Sequence, residues 1–129
     1  MTDAAEAAGV KAQVGFNFLM LPMIATARDM IAAGTLGEIT GYRGLHAEDY
    51  MADPNAPWSF RHDPLGGGAL ADIGSHALAT AEFLLGPIEE VLGQCQTVIA
   101  ERPDGRGGTR KVDVDDIGRA LRKFDNGVT

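Results

Sequence analysis

Three consecutive glycines, Gly66, Gly67 and Gly68, open a stretch that closes at Gly86-Pro87, and this punctuation constrains the fold more than any other feature. Glycine permits backbone conformations closed to other residues, and Pro87 cannot continue a helix. The residues between, Ala69 to Leu85, are mostly helix formers, so the pattern predicts a helix over 69–85. Asp72 and His76 fall within it four positions apart, which on an α-helix places both on one face. An imidazole can give or take a proton near neutral pH, and a neighbouring carboxylate can orient the ring and stabilise its charged form. The glycines beside the pair would leave bare backbone open to an approaching ligand. The plainer alternative is an Asp–His surface pair next to a glycine turn.

The same stretch fits a second pattern. Gly66-x-Gly68-x-x-Ala71 matches the dinucleotide fingerprint, which requires a buried strand directly before it. Trp58 to Leu65 contains Arg61, His62, Asp63 and Pro64 and reads as a polar, proline-broken loop. The glycines are therefore not expected to cradle a cofactor's phosphates.

A chain of 129 residues holds one domain at most. Its 45% hydrophobic and 22% charged residues suit a soluble globular fold, and no run approaches a membrane span. Met1-Thr2-Asp3-Ala4-Ala5-Glu6 lacks the basic start and apolar core of a signal peptide. The single cysteine, Cys95, can form no internal disulfide, which fits a reducing cytoplasm. A net charge of −7 argues against nucleic acid or an anionic membrane as partner.

Asp3 to Ala8 favours helix and Gly9 stops it, as at the tail of a longer helix. Lys11 to Asn17 reads as a strand. Pro22 suits the first turn of a helix to about Ala33, ended by Gly34, with Ile24, Ala27 and Ile31 as its apolar stripe. Glu38 to Glu48 alternates as a strand, and Asp49 to Leu65 is a loop of the length typical of binding loops or lids. Val91 to Ile99 is a strand, Glu101 to Arg110 a Pro/Gly-rich hairpin connection, and Val112 to Phe124 is strand-like. Asp125-Asn126-Gly127 is a hairpin turn, after which Val128 and Thr129 would begin a return strand, so both ends look cut. Helices and strands mix without a βαβ rhythm, which predicts an α+β fold, a sheet with helices on one face. Val91 and Ile99 on one alternation, with Leu92 and Val98 on the other, would leave an apolar face uncovered. That predicts a homodimer or larger assembly through the sheet.

Several further motifs stand in order along the chain: Val14-Gly15-Phe16-Asn17-Phe18, Pro22, and Met30 through Gly34 to Leu36-Gly37-Glu38-Ile39. Arg43-Gly44-x-His46-x-Glu48-Asp49-Tyr50, Trp58-Ser59-Phe60-Arg61, Gly66 to His76, Phe83 to Pro87 and Asp115-Asp116 follow. Together they resemble the Gfo/Idh/MocA oxidoreductases, the glucose–fructose oxidoreductase and inositol dehydrogenase relatives. The resemblance implies an N-terminal Rossmann domain for NAD or NADP and a C-terminal domain with a large, mostly antiparallel sheet. It implies hydride transfer to or from a sugar, cyclitol or related polyol. On this resemblance residues 1–16 would be the last helix and strand of the dinucleotide-binding domain, and 17–129 part of the substrate and oligomerisation domain. His76 would be the general acid/base at the substrate hydroxyl and Asp72 would orient the substrate or the proton relay. Asn17, Tyr50, Trp58 and Arg61 would shape the sugar pocket, although Trp58 and Arg61 could equally fasten the loop.

The chain also departs from the family pattern. It has no Glu-Lys-Pro, and its lysines, Lys11, Lys111 and Lys123, stand in other contexts. Ala79 stands where the family often has Asp, and Met20 where a basic residue is common. Hydride transfer needs the nicotinamide held about 3–3.5 Å from the substrate carbon, and no phosphate-binding strand–loop–helix is present to hold it. The chain is therefore expected to carry the Asp/His half of an active site, to bind no cofactor alone and to be inactive alone. The alternative is a non-catalytic binding or oligomerisation module. A metal-dependent isomerase or hydrolase using His46, Glu48, Asp72 and His76 is disfavoured, because no tight ligand spacing such as H-E-x-x-H occurs.

Overall fold

A computed structural model describes residues 2–129. Helix α1 spans Thr2–Ala8, α2 Pro22–Ala32 and α3 Ser75–Leu85, with strands β1 Ile88–Gln96, β2 Glu101–Pro103, β3 Thr109–Lys111 and β4 Ile117–Phe124. The class is α+β with antiparallel strands, as expected. β1 pairs with β4 and β2 with β3, giving two two-stranded sheets among the described residues rather than one large one.

The helix stops fall where the sequence puts them. Pro22 occupies the first turn of α2, where its missing N–H costs nothing. Gly34 takes φ +68° just past the end, and the Gly34 and Thr35 amides donate to Ile31 and Met30 carbonyls at 3.0 Å. Gly9 ends α1 in the same manner. Ile24, Ala27 and Ile31 are half-buried, and Ile31 packs on the core.

Three strand expectations need correction. Lys11 to Asn17 joins no sheet. Val14 and Gly15 carbonyls instead accept from the Phe16 and Asn17 amides at 3.0 and 2.9 Å, successive γ-type turns that lead into a 3-10 turn over Asn17–Met20. Glu38 to Glu48 alternates as predicted but forms no ladder. Its backbone contact with the chain's last residues is Tyr42 N–H to Thr129 carbonyl, 2.9 Å, and one bond does not define a strand. The Val91–Ile99 strand is shifted to Ile88–Gln96. It ends early because the Val98 and Ile99 amides donate to Asp116 Oδ2 at 2.6 and 2.9 Å, leaving none for a ladder.

The turn after β4 is a three-residue loop. Phe124 N–H donates to Val128 carbonyl, Gly127 N–H donates to Phe124 carbonyl, and Gly127 alone in the turn has positive φ, +86°. A two-residue Asn-Gly turn would need Asn126 at positive φ as well. Asn126 Nδ2 donates to the Leu85 carbonyl at 2.9 Å, tying the turn to the end of α3. The core sits there: Ala81, Leu85, Phe124 and Val128, flanked by Ile31, Ile39, Tyr42, Leu84 and Ile88.

Candidate functional site

The helix carrying Asp72 and His76 is anchored from two sides. Ala69 N–H donates to the Asp115 carbonyl and Leu70 N–H to Asp115 Oδ2, both at 2.8 Å, so a carboxylate sits on otherwise orphan amides of the first turn. Gly67 and Gly68 amides donate to the carbonyls of Asp63 and Arg61 at 2.7 Å. A Cβ on Gly68 would lie 2.6 Å from Asp115 Oδ1, and one on Gly67 would collide with the Arg61 and Asp63 carbonyls. The glycines therefore let the loop, the helix and the approach to β4 pack together. Gly67 and Gly68 do not leave open backbone for a ligand. The residues before Gly66 form a 3-10 turn, Phe60–His62, and then further turns, so no strand feeds the glycine run among the described residues.

From Leu70 to Gly74 the helix is π-type, passing to α-type at Ser75. Single π turns recur at functional sites because they re-aim side chains. Asp72 consequently does not pair with His76 in the regular α manner. Its Oδ2 forms an ion pair with Arg61 Nη1 and accepts the Tyr50 hydroxyl at 3.2 Å. Arg61 also lies over the Tyr50 ring, 5.2 Å from its centroid. The structure thus brings three predicted site residues, Tyr50, Arg61 and Asp72, into one cluster from the loop and the helix. An open depression of about 630 Å³, lined by Ala47, Glu48, Asp49 and Tyr50, adjoins it.

His76 has aromatic company. Phe16 meets its ring edge-on at 5.4 Å and Phe18 is tilted against it at 4.8 Å. Phe18 also stacks on His46 at 5.6 Å, and His46 Nε2 lies 2.7 Å from Glu48 Oε1. Asn17, between the two phenylalanines, is exposed. His76 Nδ1 is buried without a hydrogen-bond partner among the described residues. Such a nitrogen is costly unless a partner arrives. No group of three or more His, Cys, Asp or Glu side chains is arranged to hold a metal ion among the described residues.

Trp58 sits on the other side of the loop. Its ring carries Arg110 at 3.3 Å and faces His62 at 6.0 Å, and its backbone N–H donates to the Pro103 carbonyl at 2.8 Å. His62 is buried, its Nδ1 accepting from Ser59 N–H at 2.9 Å. Burial, and then the nearby Arg102 guanidinium, push its pKa down. Sequence reasoning missed Arg102, a fully buried arginine in β2. It noted Asp115-Asp116 only as a motif. Two adjacent acids before a strand were the available signal, since one cannot alternate inward without the other finding a separate partner.

Residues 24–129 match the family model described as the GFO/IDH/MocA C-terminal domain. The chain is 34% identical to a levoglucosan dehydrogenase of Pseudarthrobacter phenanthrenivorans, over 98% of this chain and 36% of that protein. Among solved structures, an NAD-binding oxidoreductase from Klebsiella pneumoniae superposes with a TM-score of 0.87 at 39% identity, over 98% of this chain and 34% of that one. A levoglucosan dehydrogenase in complex with NADH and L-sorbose superposes with a TM-score of 0.86 at 37% identity, over 92% and 32%. The chain spans about a third of the length of these relatives.

Proposed function

Because this chain belongs to the Gfo/Idh/MocA family, we propose that it is the substrate-binding part of an NAD(P)-dependent oxidoreductase acting on a sugar, cyclitol or related polyol. Residues 1–16 would then close a dinucleotide-binding domain, and 17–129 belong to the substrate and oligomerisation domain. The chain's own residues do not fit the dinucleotide. Gly67 faces the loop carbonyls and Gly68 faces Asp115, and no strand leads into the run among the described residues. The cofactor is accordingly assigned to residues of the dinucleotide-binding domain, and this chain alone is expected neither to bind it nor to turn over.

The observation that carries the reading is the buried, unpartnered Nδ1 of His76 on the same helix as a carboxylate held by two side chains. A substrate hydroxyl would satisfy that nitrogen, and the ring is poised to hold the proton that leaves the hydroxyl as its carbon is oxidised. Phe16 and Phe18 pack against the ring. Asp72, fixed by Arg61 and Tyr50, would accept a second substrate hydroxyl and orient the sugar. Asn17 at the mouth and Tyr50 beside the open depression would contact the rest of the polyol. Trp58, packed under Arg110, supports the loop from behind.

The test is made in the enzyme with levoglucosan and D-xylose, the sugars in the names of relatives. His76→Ala should lower kcat by roughly 10²–10⁴, the usual worth of a positioned acid/base. Asp72→Asn should cost less, since it keeps the shape and removes the charge. Near-normal turnover by both folded variants would make the pair structural and refute the reading.

A second reading rests on the sheet. Leu92 and Leu121 lie opposite each other across β1 and β4, with 71% and 74% of their surfaces exposed. This exposed apolar pair, flanked on the same face by Glu90/Lys123 and Gln94/Arg119, supports an assembly role, a homodimer or larger through the sheet, alongside the enzymatic one.

A further inference from the structure

Arg102 has none of its surface exposed, yet it stands in a three-residue strand of an outlying hairpin. A guanidinium is tolerated out of water only where its donors and charge are matched. Nη1 donates to the Asp53 carbonyl at 2.9 Å and the Ala56 carbonyl at 3.5 Å, and Nη2 to the Met51 carbonyl at 2.7 Å, while Nε has no partner among the described residues. All three acceptors lie in one stretch of the long loop. Asp116 Oδ1, 4.0 Å from Nη2, supplies the counter-charge, and its other oxygen is held by the Val98 and Ile99 amides. Met51 directly follows Tyr50, whose hydroxyl donates to Asp72. One peptide unit therefore separates the arginine's grip from the candidate site. The far end of the loop is fastened to the same hairpin by the Trp58 backbone N–H on the Pro103 carbonyl and by Arg110 on the Trp58 ring. Between these fastenings the loop consists of turns, with no ladder or helix to order it.

We propose that Arg102 is a positioning residue of the sugar site: its grip on the Met51, Asp53 and Ala56 carbonyls holds Tyr50 on Asp72 and so sets affinity for the polyol. The inference rests on the sugar-oxidoreductase reading above. It makes the β2–β3 hairpin part of the binding apparatus, although among the described residues no hydrogen bond or ion pair joins the hairpin to Tyr50, Arg61 or Asp72. A displacement of about 1 Å can cost up to about 100-fold in a positioned site, so a residue that acts through Tyr50 has a measurable signature.

In the enzyme, with levoglucosan and D-xylose as probes, Arg102→Lys should raise the KM for sugar about tenfold while the KM for the cofactor stays within about twofold. Tyr50→Phe should raise the sugar KM by itself. Arg102→Lys on the Tyr50→Phe background should add less than about twofold, because both changes loosen one contact. A fall in kcat alone with both KM values unchanged would mean fewer folded molecules, and would overturn the proposal. Full additivity of the two changes would overturn it as well.

A second measurement is independent of turnover. Trp58 is the sole tryptophan, and its emission reports whether the loop is seated on the hairpin. Acrylamide quenching of Trp58 should rise about twofold in Arg102→Met with helix content unchanged, and in Arg102→Lys if the methionine variant does not fold. If the unaltered enzyme oxidised neither sugar, the oxidoreductase reading would fail by itself. Unchanged quenching in a folded variant would then refute the latch, and increased quenching would sustain it.

Discussion

His62 shows how one buried side chain can give the protein a pH dependence. The ring is 4% exposed, and burial first, then Arg102, holds its pKa below the ordinary value of 6.5, with Asp116 opposing. The unfolded chain takes up a proton near pH 6.5, whereas the folded chain keeps the ring neutral to lower pH. Below about pH 6.5 the unfolded state therefore binds more protons, and stability falls as pH drops from there toward the folded-state pKa. The urea midpoint should be flat above about pH 7 and decline as the pH falls below about 6.5. His62→Gln should shrink that decline. An equal decline in both proteins would refute the assignment to His62. The loop around His62 also illustrates what a residue hides in sequence. A histidine between Arg61 and Asp63 looks solvated. Its burial follows from Trp58 and Arg102, and Arg102 lies forty positions farther along the chain.

At the scale of elements, the helix from Ala69 to Leu85 depends on a residue outside it. Asp115 meets the first turn with both its carbonyl and its carboxylate. Asp115→Ala should cost about 0.5–2 kcal/mol, the worth of a lost N-terminal cap, seen as a lower melting temperature. Asp115→Asn should recover most of it, because an amide oxygen still accepts the Leu70 N–H. Equal losses in both would point to the charge. The helix ends were legible because Pro22, Gly34 and Gly86-Pro87 act locally, through their own backbone limits. The strands were less so. Glu38 to Glu48 has the right alternation, but a strand is a property of two segments, and only Tyr42 meets a backbone partner in the last residues. The candidate site divides similarly. Asp72 and His76 were visible from spacing, and the resemblance added Tyr50 and Arg61. The ion pair of Arg61 with Asp72 and the grip of Arg102 on the loop join residues 11 to 51 positions apart, distances over which a single sequence carries no signal.

For the molecule as a whole, the two ends of the β1–β4 ribbon are unequal. One end bears the core residues Phe124 and Ile88, opposite each other in register. Farther along, Leu92 and Leu121, also in register, are open to solvent, and so is Val91 on the opposite face. Light scattering behind a sizing column at micromolar concentration should give at least twice the monomer mass. Leu92→Lys should shift it toward the monomer by placing a charge in the contact. A stable monomer on dilution, free of aggregate, would refute the assembly. The core itself is drawn from distant parts of the chain: Ala81 and Leu85 on α3 are covered by Phe124 and by Val128, beyond the final turn. On a ribosome adding about 5–20 residues per second, α3 emerges seconds before its cover and passes that interval with Leu85 bare. The helix bearing the proposed acid/base is thus made early and secured last, so a nascent chain stalled short of Val128 presents a chaperone with the same apolar surface that the finished fold conceals.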